Sequence, residues 1–235
     1  MKRNEIDIQR QYYAKTAEQY DERHLPSDDE HFFALAFLIG VIDYLHIETV
    51  LDIGSGTGRA IGYIKQRRPD IRIVGIEPVK ELRDVGYRKG LSENELLDGD
   101  ATAIAFSNGE FDLTCEFGAL HHIRDHHRVV AEMLRVAKKA FFLSDSNNFG
   151  QGSRTTRTLK QILNTIGLWE VADHLKTGGK GYFISEGDGL AYSYSVFSDY
   201  KLIREHCKSI HILNTRGSGV NPYRNASHVA CLGTK

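Results

Sequence analysis

The chain has 235 residues, with 30 Lys plus Arg set against 31 Asp plus Glu for a formal charge of −1. Apolar residues make up 41% and charged residues 26%, ordinary globular proportions that allow a sizeable core without disulfide or metal staples. The neutral balance argues against nucleic acid or an anionic membrane as partner. The scattered Cys115, Cys207 and Cys231 form neither a disulfide framework nor a zinc-ribbon spacing, which points to a reducing, cytoplasmic setting.

Met1-Lys2-Arg3-Asn4-Glu5 leads into no apolar signal core, and the most apolar run, Phe32 to Val41, is too short to span a bilayer. Tyr12, Tyr13, Ala17 and Tyr20 recur at helical spacing, and Pro26 ends that segment. Ser27-Asp28-Asp29-Glu30 has the form of a capping box, predicting a helix that carries Phe32, Phe33, Leu35, Ala36, Leu38 and Ile39 into the core. From Thr49 the pattern alternates. Strands are predicted at 50–53, 71–76, 95–97, 111–117 and 140–143, with helices at 60–67, from Pro78 as first helical residue to about Arg88, and over 129–137. This alternation implies a parallel sheet covered by helices on both faces. Residues 147–198 interrupt it with a helix at 158–168 and a segment rich in Gly, Ser and Tyr, in which Tyr192-Ser193-Tyr194-Ser195 alternates like a strand. A helix at 199–208 and strands at 210–213 and 228–232 follow, and those two strands pair antiparallel across a turn-rich loop. The expected organisation is one domain: a helical cap at 1–48, a core at 49–146, an insertion at 147–198 and the last helix and strands at 199–235.

The strongest local signal is Leu51-Asp52-Ile53-Gly54-Ser55-Gly56-Thr57-Gly58 between a strand and a helix. Glycines there permit positive φ and close backbone approach to a ligand. The spacing G-x-G-x-G with Arg59 after it departs from the nicotinamide-dinucleotide fingerprint, and the G-K-[ST] ending of a P-loop is absent.

With these residues the chain resembles the class I S-adenosylmethionine-dependent methyltransferases, over about residues 10–145 and the last two strands. Val74-Gly75-Ile76-Glu77-Pro78 matches that family's strand-two acid. Leu97-Asp98-Gly99-Asp100-Ala101 matches its G-D-A segment, and Phe111-Asp112-Leu113 with Leu120-His121-His122-Ile123 resembles its fourth-strand motif. The resemblance implies a Rossmann-like seven-stranded α/β sheet with an antiparallel last strand, and S-adenosylmethionine as cofactor, released as S-adenosylhomocysteine. It places Glu77, beside Pro78, on the ribose hydroxyls through charge-assisted bonds, Asp100 and Ala101 on the adenine, and Asp52 with the Gly54, Ser55, Gly56 and Gly58 loop around the methionine moiety. The resemblance also counts Glu116 and Phe117 of strand four among the cofactor-binding residues. Tyr13 and Tyr20 resemble a lead-in that caps the cofactor; aromatic packing of a terminal helix explains them equally well.

Alkylating a hydroxyl benefits from a base of near-neutral pKa, which points to histidine. His121 and His122 follow strand four, and Asp145 follows strand five on the same rim. The catalytic candidates are therefore His121, His122 and Asp145, an arrangement similar to that of sugar O-methyltransferases; orientation of the loop by the histidines is the other reading. No metal is expected, since no H-E-x-x-H or His/carboxylate triad stands out among His121, His122, His126, His127 and Asp125, and His126 and His127 read as a solvated helix start. Glu116-Phe117-Gly118-Ala119 replaces the D/N-P-P-Y loop that would hold an extruded base. The insertion, with Arg154, Arg157, Lys160, Lys176, Tyr192 and Tyr194, suits a small polar acceptor such as a sugar, nucleotide-sugar, polysaccharide precursor or phosphorylated metabolite; a homodimer contact suits it too. Two rivals remain open: N- or C-methylation of a quinone, lipid or natural product, and a cofactor-binding protein without turnover.

Overall fold

A computed structural model describes residues 3–25 and 28–235. Pro26 and Ser27, the expected helix stop and the first residue of the expected capping box, lie outside them. The N-terminal segment folds as α1 (Arg3–Thr16), a 3-10 turn and α2 (Tyr20–His24). The next helix, α3 (Glu30–Tyr44), is capped by Asp29, whose carboxylate accepts from the Phe32 amide. Its inward face is Ala34, Leu35, Leu38, Val41 and Ile42. Phe33 and Ala36, expected inside, are exposed, because the i, i+3/i+4 stripe runs through Leu35 and Leu38.

The core elements are β1 (Thr49–Ile53), α4 (Arg59–Arg67), β2 (Arg72–Ile76), α5 (Lys80–Arg88), β3 (Leu96–Leu97), β4 (Phe111–Phe117), α6 (His126–Val136) and β5 (Ala137–Ser146). Pro78 does not open α5. Val79 is the N-cap and Lys80 the first helical residue, because the Glu77 carboxylate takes the Val79 amide and carries the chain past the proline first. β5 runs past both predicted ends, since it pairs with neighbours along its whole length. The insertion holds α7 (Arg154–Thr165), α8 (Trp169–Lys176) and a hairpin of β6 (Phe183–Ser185) and β7 (Gly189–Ala191). Residues 192–195 do not form the alternating strand expected of them. They make a single bridge, Asn147 to Ser195, with Tyr194 and Ser195 buried. The chain ends with α9 (Tyr200–His206), β8 (Ser209–Gly217), the short α10 (Pro222–Asn225) and β9 (Ala226–Thr234).

The seven-stranded sheet runs β3-β2-β1-β4-β5-β9-β8. β9 alone runs against the other six strands, pairing antiparallel with β5 and with β8; the loop before it, expected to hold no helix, contains the short α10. The pleat divides the core. Leu51, Ile53, Phe141, Leu143 and Cys231 face one side with α6 and Ile203 of α9. Val50, Ala140, Phe142, Ala230 and Leu232 face the other with α3 and α4. Strand order reverses between β1 and β4, so the loops after these strands diverge and leave a crevice at their carboxyl ends. Among the described residues no helix is long and apolar enough to cross a membrane. Phe142 is 1% exposed in the second layer, so Phe142→Ala should cost about 3–5 kcal/mol in urea unfolding; a loss below about 1 kcal/mol would show that this layer is not packed as described.

Candidate active site

Two cavities open at the crevice. The first, about 370 Å³, lies between the glycine loop after β1, the ends of β2 and β4 and the N-terminal helix α1. Its walls include Tyr13, Tyr20, Gly54, Glu77, Pro78, Asp100, Ala101, Glu116 and Phe117. Asp52, Ser55, Gly56 and Gly58, expected at the same site, are not among the walls; they form the loop's framework. Asp52 is buried behind the loop, with the Cys115 thiol 3.8 Å away and its carboxyl pushed up to about 6 by burial. Ser55 Oγ donates to the Asp52 carbonyl at 3.1 Å. Gly54 needs to be glycine twice over: its φ is +70°, and a Cβ would stand 2.6 Å from the Ala119 methyl on the opposing loop. At Gly56 a Cβ would meet the Tyr20 hydroxyl at 3.0 Å.

Glu77 is the charged centre of this cavity. Its two oxygens accept from the Gly56 amide at 3.1 Å and the Val79 amide at 2.9 Å. Burial nevertheless pushes its carboxyl up to about 7, against the pull of those bonds. Asp100, in the cavity wall, is exposed and uses Oδ1 to accept from the Thr102 amide and hydroxyl at 2.8 and 2.7 Å. Glu116 is fully buried. One oxygen accepts from the Ala119 and Leu120 amides, while Oε2 has no partner. Burial and the nearby Asp145 charge hold this carboxyl protonated, well above the usual carboxylate range.

The second cavity, about 520 Å³, adjoins the first and shares Tyr13, Tyr20, Phe117 and Gly118 with it. His121 lines it. Its Nδ1 lies 2.7 Å from Asp145 Oδ1, so the expected histidine–aspartate pair forms. Asp145 also accepts the His121 amide at 3.2 Å, which locks the 3-10 turn after β4 onto the end of β5. The other ring nitrogen, Nε2, lies 3.3 Å from Asp188 Oδ2. Asp188 sits between β6 and β7, at the hairpin tip, and was not foreseen from the sequence. Its only local signal is a Gly-Asp-Gly turn, which nothing in the sequence connects to the rim. Burial pulls the His121 pKa down, but the two carboxylates outweigh burial and hold it well above 6.5. Both carboxylates are in turn held far below the usual range despite burial.

His122 is in a different state. Nδ1 donates to the Leu190 carbonyl at 2.6 Å, and Nε2 accepts from the Tyr13 hydroxyl at 2.8 Å. Burial and the charge on His121 lower its pKa, so it stays neutral. It lines the first cavity, while His121 lines the second. The adjacent histidines therefore point into different chambers. Gln9 of α1 binds the hairpin from the other side, donating to the Asp188 carbonyl and accepting from the Leu190 amide. His31, Glu30 and His228, also unforeseen, line the second cavity; burial pulls the His31 pKa down to about 4.

The fold does assemble His/carboxylate triads that the linear sequence does not display. Among the described residues, His121, His122 and Asp188 form one, and His126, His127 and Asp199 another, each with ligand atoms within 4.8 Å of one another. His126 and His127 do begin α6, yet they are not simply solvated, because the buried Asp199 accepts from both rings.

The strand order, the glycine loop at its reversal and the acid ending β2 define the Rossmann-like fold of class I methyltransferases. Residues 51–143 match a family described as a methyltransferase domain. Over 93 residues the chain is 32% identical to a demethylmenaquinone methyltransferase of Thermotoga maritima, covering 39% of this chain and 40% of that enzyme. It is also 32% identical over 95 residues to norajmaline N-methyltransferase of Rauvolfia serpentina, covering 38% of this chain and 32% of that one. The chain thus spans well under half the length of these relatives. A solved S-adenosylmethionine-dependent methyltransferase from Clostridium acetobutylicum superposes with a TM-score of 0.62 over 94% of this chain and 98% of its own, at 14% identity. That likeness shows the fold.

The two histidines should separate in an NMR titration of the ligand-free protein. His121 keeps both ring protons well above pH 6.5, and His122 loses its charge below it. Asp188→Asn should lower the His121 pKa by removing one of the two carboxylates that hold it up; an unchanged value would show that the hairpin carboxylate does not reach the ring in solution.

Proposed function

We propose that this chain transfers a methyl group from S-adenosylmethionine to a hydroxyl of a small polar acceptor, a carbohydrate, nucleotide-sugar or polysaccharide precursor in the first instance. The reading rests on two adjoining cavities that share Tyr13, Tyr20, Phe117 and Gly118: one has Glu77 and Asp100 in its walls, the other His121. The residues of the first cavity fit the cofactor. Glu77 accepts from the ribose hydroxyls, Asp100 and the Ala101 amide meet the adenine, and the protonated Glu116 Oε2, unpartnered in the wall, supplies a donor toward the methionine part. Tyr13 and Tyr20 close the cavity from α1 and α2, while Asp52, Ser55, Gly56 and Gly58 shape the loop. The lid is the hairpin with its Asp188, together with the rest of residues 147–198.

The bound cofactor supplies the activated methyl group. Alignment and water exclusion are the protein's part, and they carry most of the acceleration of an in-line displacement. With Asp188 on Nε2, His121 holds two protons and cannot accept a third. An acceptor hydroxyl that takes the place of Asp188 removes one neighbouring negative charge, so the ring's pKa falls toward neutrality. Neutral His121, still oriented through Nδ1–H to Asp145, then accepts the hydroxyl proton on Nε2 as the oxygen–carbon bond forms and the sulfur–carbon bond breaks. His122, neutral and bound to Tyr13, positions the tyrosine at the junction of the cavities.

The names of the relatives favour a second reading, with a quinone or an amine as acceptor. Those matches span 93 and 95 residues. Lys160, Lys176, Tyr192 and His228 of the second cavity lie beyond the matched family stretch, 51–143, and a polar lining supports the polar acceptor instead.

Calorimetry should detect S-adenosylhomocysteine binding that is lost in Glu77→Ala and Gly56→Val; unchanged affinity in both would sink the cofactor assignment. Because Glu77 offers two charged acceptor oxygens only as a carboxylate and sits near pKa 7, affinity should rise about tenfold from pH 6 to pH 8. A labelled-methyl screen over nucleotide sugars, phosphosugars, phenols and quinones would identify the acceptor class. With an acceptor in hand, His121→Ala should slow single-turnover transfer about 10²–10⁴-fold. In Asp188→Asn the rise of rate with pH should move to lower pH, since less alkali is then needed to free Nε2. Loss of neither rate nor pH dependence would leave alignment alone as the mechanism.

A further inference from the structure

The wall of the second cavity that α7 and α8 provide has more donors than the fold uses. Lys160 of α7 and Lys176 of α8 both line this cavity, as does Asn148 at its floor. The Lys160 ammonium donates to the Asn148 carbonyl and, at 3.1 Å, to its Oδ1. Those two bonds leave one of its three protons over. The same contact fixes the Asn148 amide: with Oδ1 taken by the lysine, Nδ2 is the free end. Nδ2 is buried without any acceptor, in a residue only 6% exposed. An orphaned buried donor is destabilising unless something arrives to satisfy it. Among the described residues neither lysine forms an ion pair with a carboxylate, although such pairs are frequent elsewhere on the chain. The acid nearest in effect is Asp173 of α8, and it takes the Ser193 hydroxyl at 2.5 Å. Arg157, one turn before Lys160, adds a third positive charge. Burial first, and then Lys176, bring the Lys160 pKa down to about 8 against the pull of Asp173.

We propose that this wall is an oxyanion subsite and that the methyl acceptor carries a phosphoryl group, gripped by Lys160, Lys176 and the Asn148 amide. The proposal rests on the reading of the second cavity as the acceptor chamber. Three donors from separate segments suit a tetrahedral group with three terminal oxygens, and lysines hold phosphate as point charges. The group supplies the acceptor for Asn148 Nδ2 and the negative charge that the lysines lack. It also anchors the acceptor through a part that does not react, leaving its hydroxyl to be aligned at His121.

The probe is inorganic pyrophosphate, titrated calorimetrically at fixed ionic strength into the full chain saturated with S-adenosylhomocysteine. Fluorescence of Trp169, the chain's one tryptophan, gives a second readout on α8. The wild type should bind, and Lys160→Gln, Lys176→Gln and Asn148→Asp should each weaken binding at least tenfold. The exposed Lys201→Gln should leave it unchanged. Each variant should keep its S-adenosylhomocysteine affinity, which verifies its fold. No binding by the wild type, or equal affinities across all variants, overturns the subsite. The two readings fail separately: absent S-adenosylhomocysteine binding would count against the cofactor cavity, while pyrophosphate titrated into the free chain still reads the anion wall.

Discussion

A carboxyl group with no solvent exposure either keeps its proton, as Glu116 does, or is answered by a cation, and Asp145 at the end of β5 is answered by His121. In a dry site, breaking such a pair costs about 3–5 kcal/mol, because one charge is left buried without compensation. Much of the site's geometry follows from keeping it whole. The imidazole needs the 3-10 turn after β4 to sit directly over β5, and the His121 amide bond to the same carboxylate ensures this. The ring's second nitrogen then faces outward as a donor, and Asp188 of the β6–β7 hairpin takes it. Through that contact the insertion is held against the rim of the sheet, and through Gln9 the N-terminal helix is held against the insertion.

The arrangement keeps three segments closed over the junction of the cavities while leaving one contact exchangeable. Asp145 is wholly buried and bound to His121 and the Ser146 amide. The Asp188 side chain is 43% exposed, so solvent screens its bond to the ring and it is the partner that a hydroxyl can replace at small cost. The same two charges divide the labour between the adjacent histidines. His121 between carboxylates is cationic; His122, buried against that cation and bound to a carbonyl and a tyrosine hydroxyl, is neutral. Two residues of one type, one peptide bond apart, thus hold different charges because their rings enter different chambers.

Much of the sheet was legible in the sequence. Short apolar runs alternating with amphipathic ones specify strands and helices by period alone, and β4 was predicted to the residue. The local failures have local causes. Pro78 suggested a helix start, but the Glu77 carboxylate captured the next amide and moved the start two residues on. Tyr192 to Ser195 alternated like a strand, yet Tyr194 is drawn inward, its hydroxyl bonded to the buried Asp199. Lys160 and Lys176 were legible as cations of the insertion but not as neighbours in one wall, and Asp188 gave little signal because an exposed turn acid looks alike wherever the chain takes it.

What the sequence determined by itself is the part whose physics is local or of short period: the glycine loop that only positive φ explains, the acids that end the strands, the order of strands and helices, and hence the fold. What only the tertiary structure decided is which distant residues share a cavity. His121 meets Asp145 across 24 positions and Asp188 across 67, and Lys160 meets Asn148 while sharing a cavity with Lys176. Charge states follow from those meetings, because a histidine's pKa depends on what lies within a few ångströms and on whether water does. Neither quantity is written along the chain; both arise only when burial fixes the neighbours.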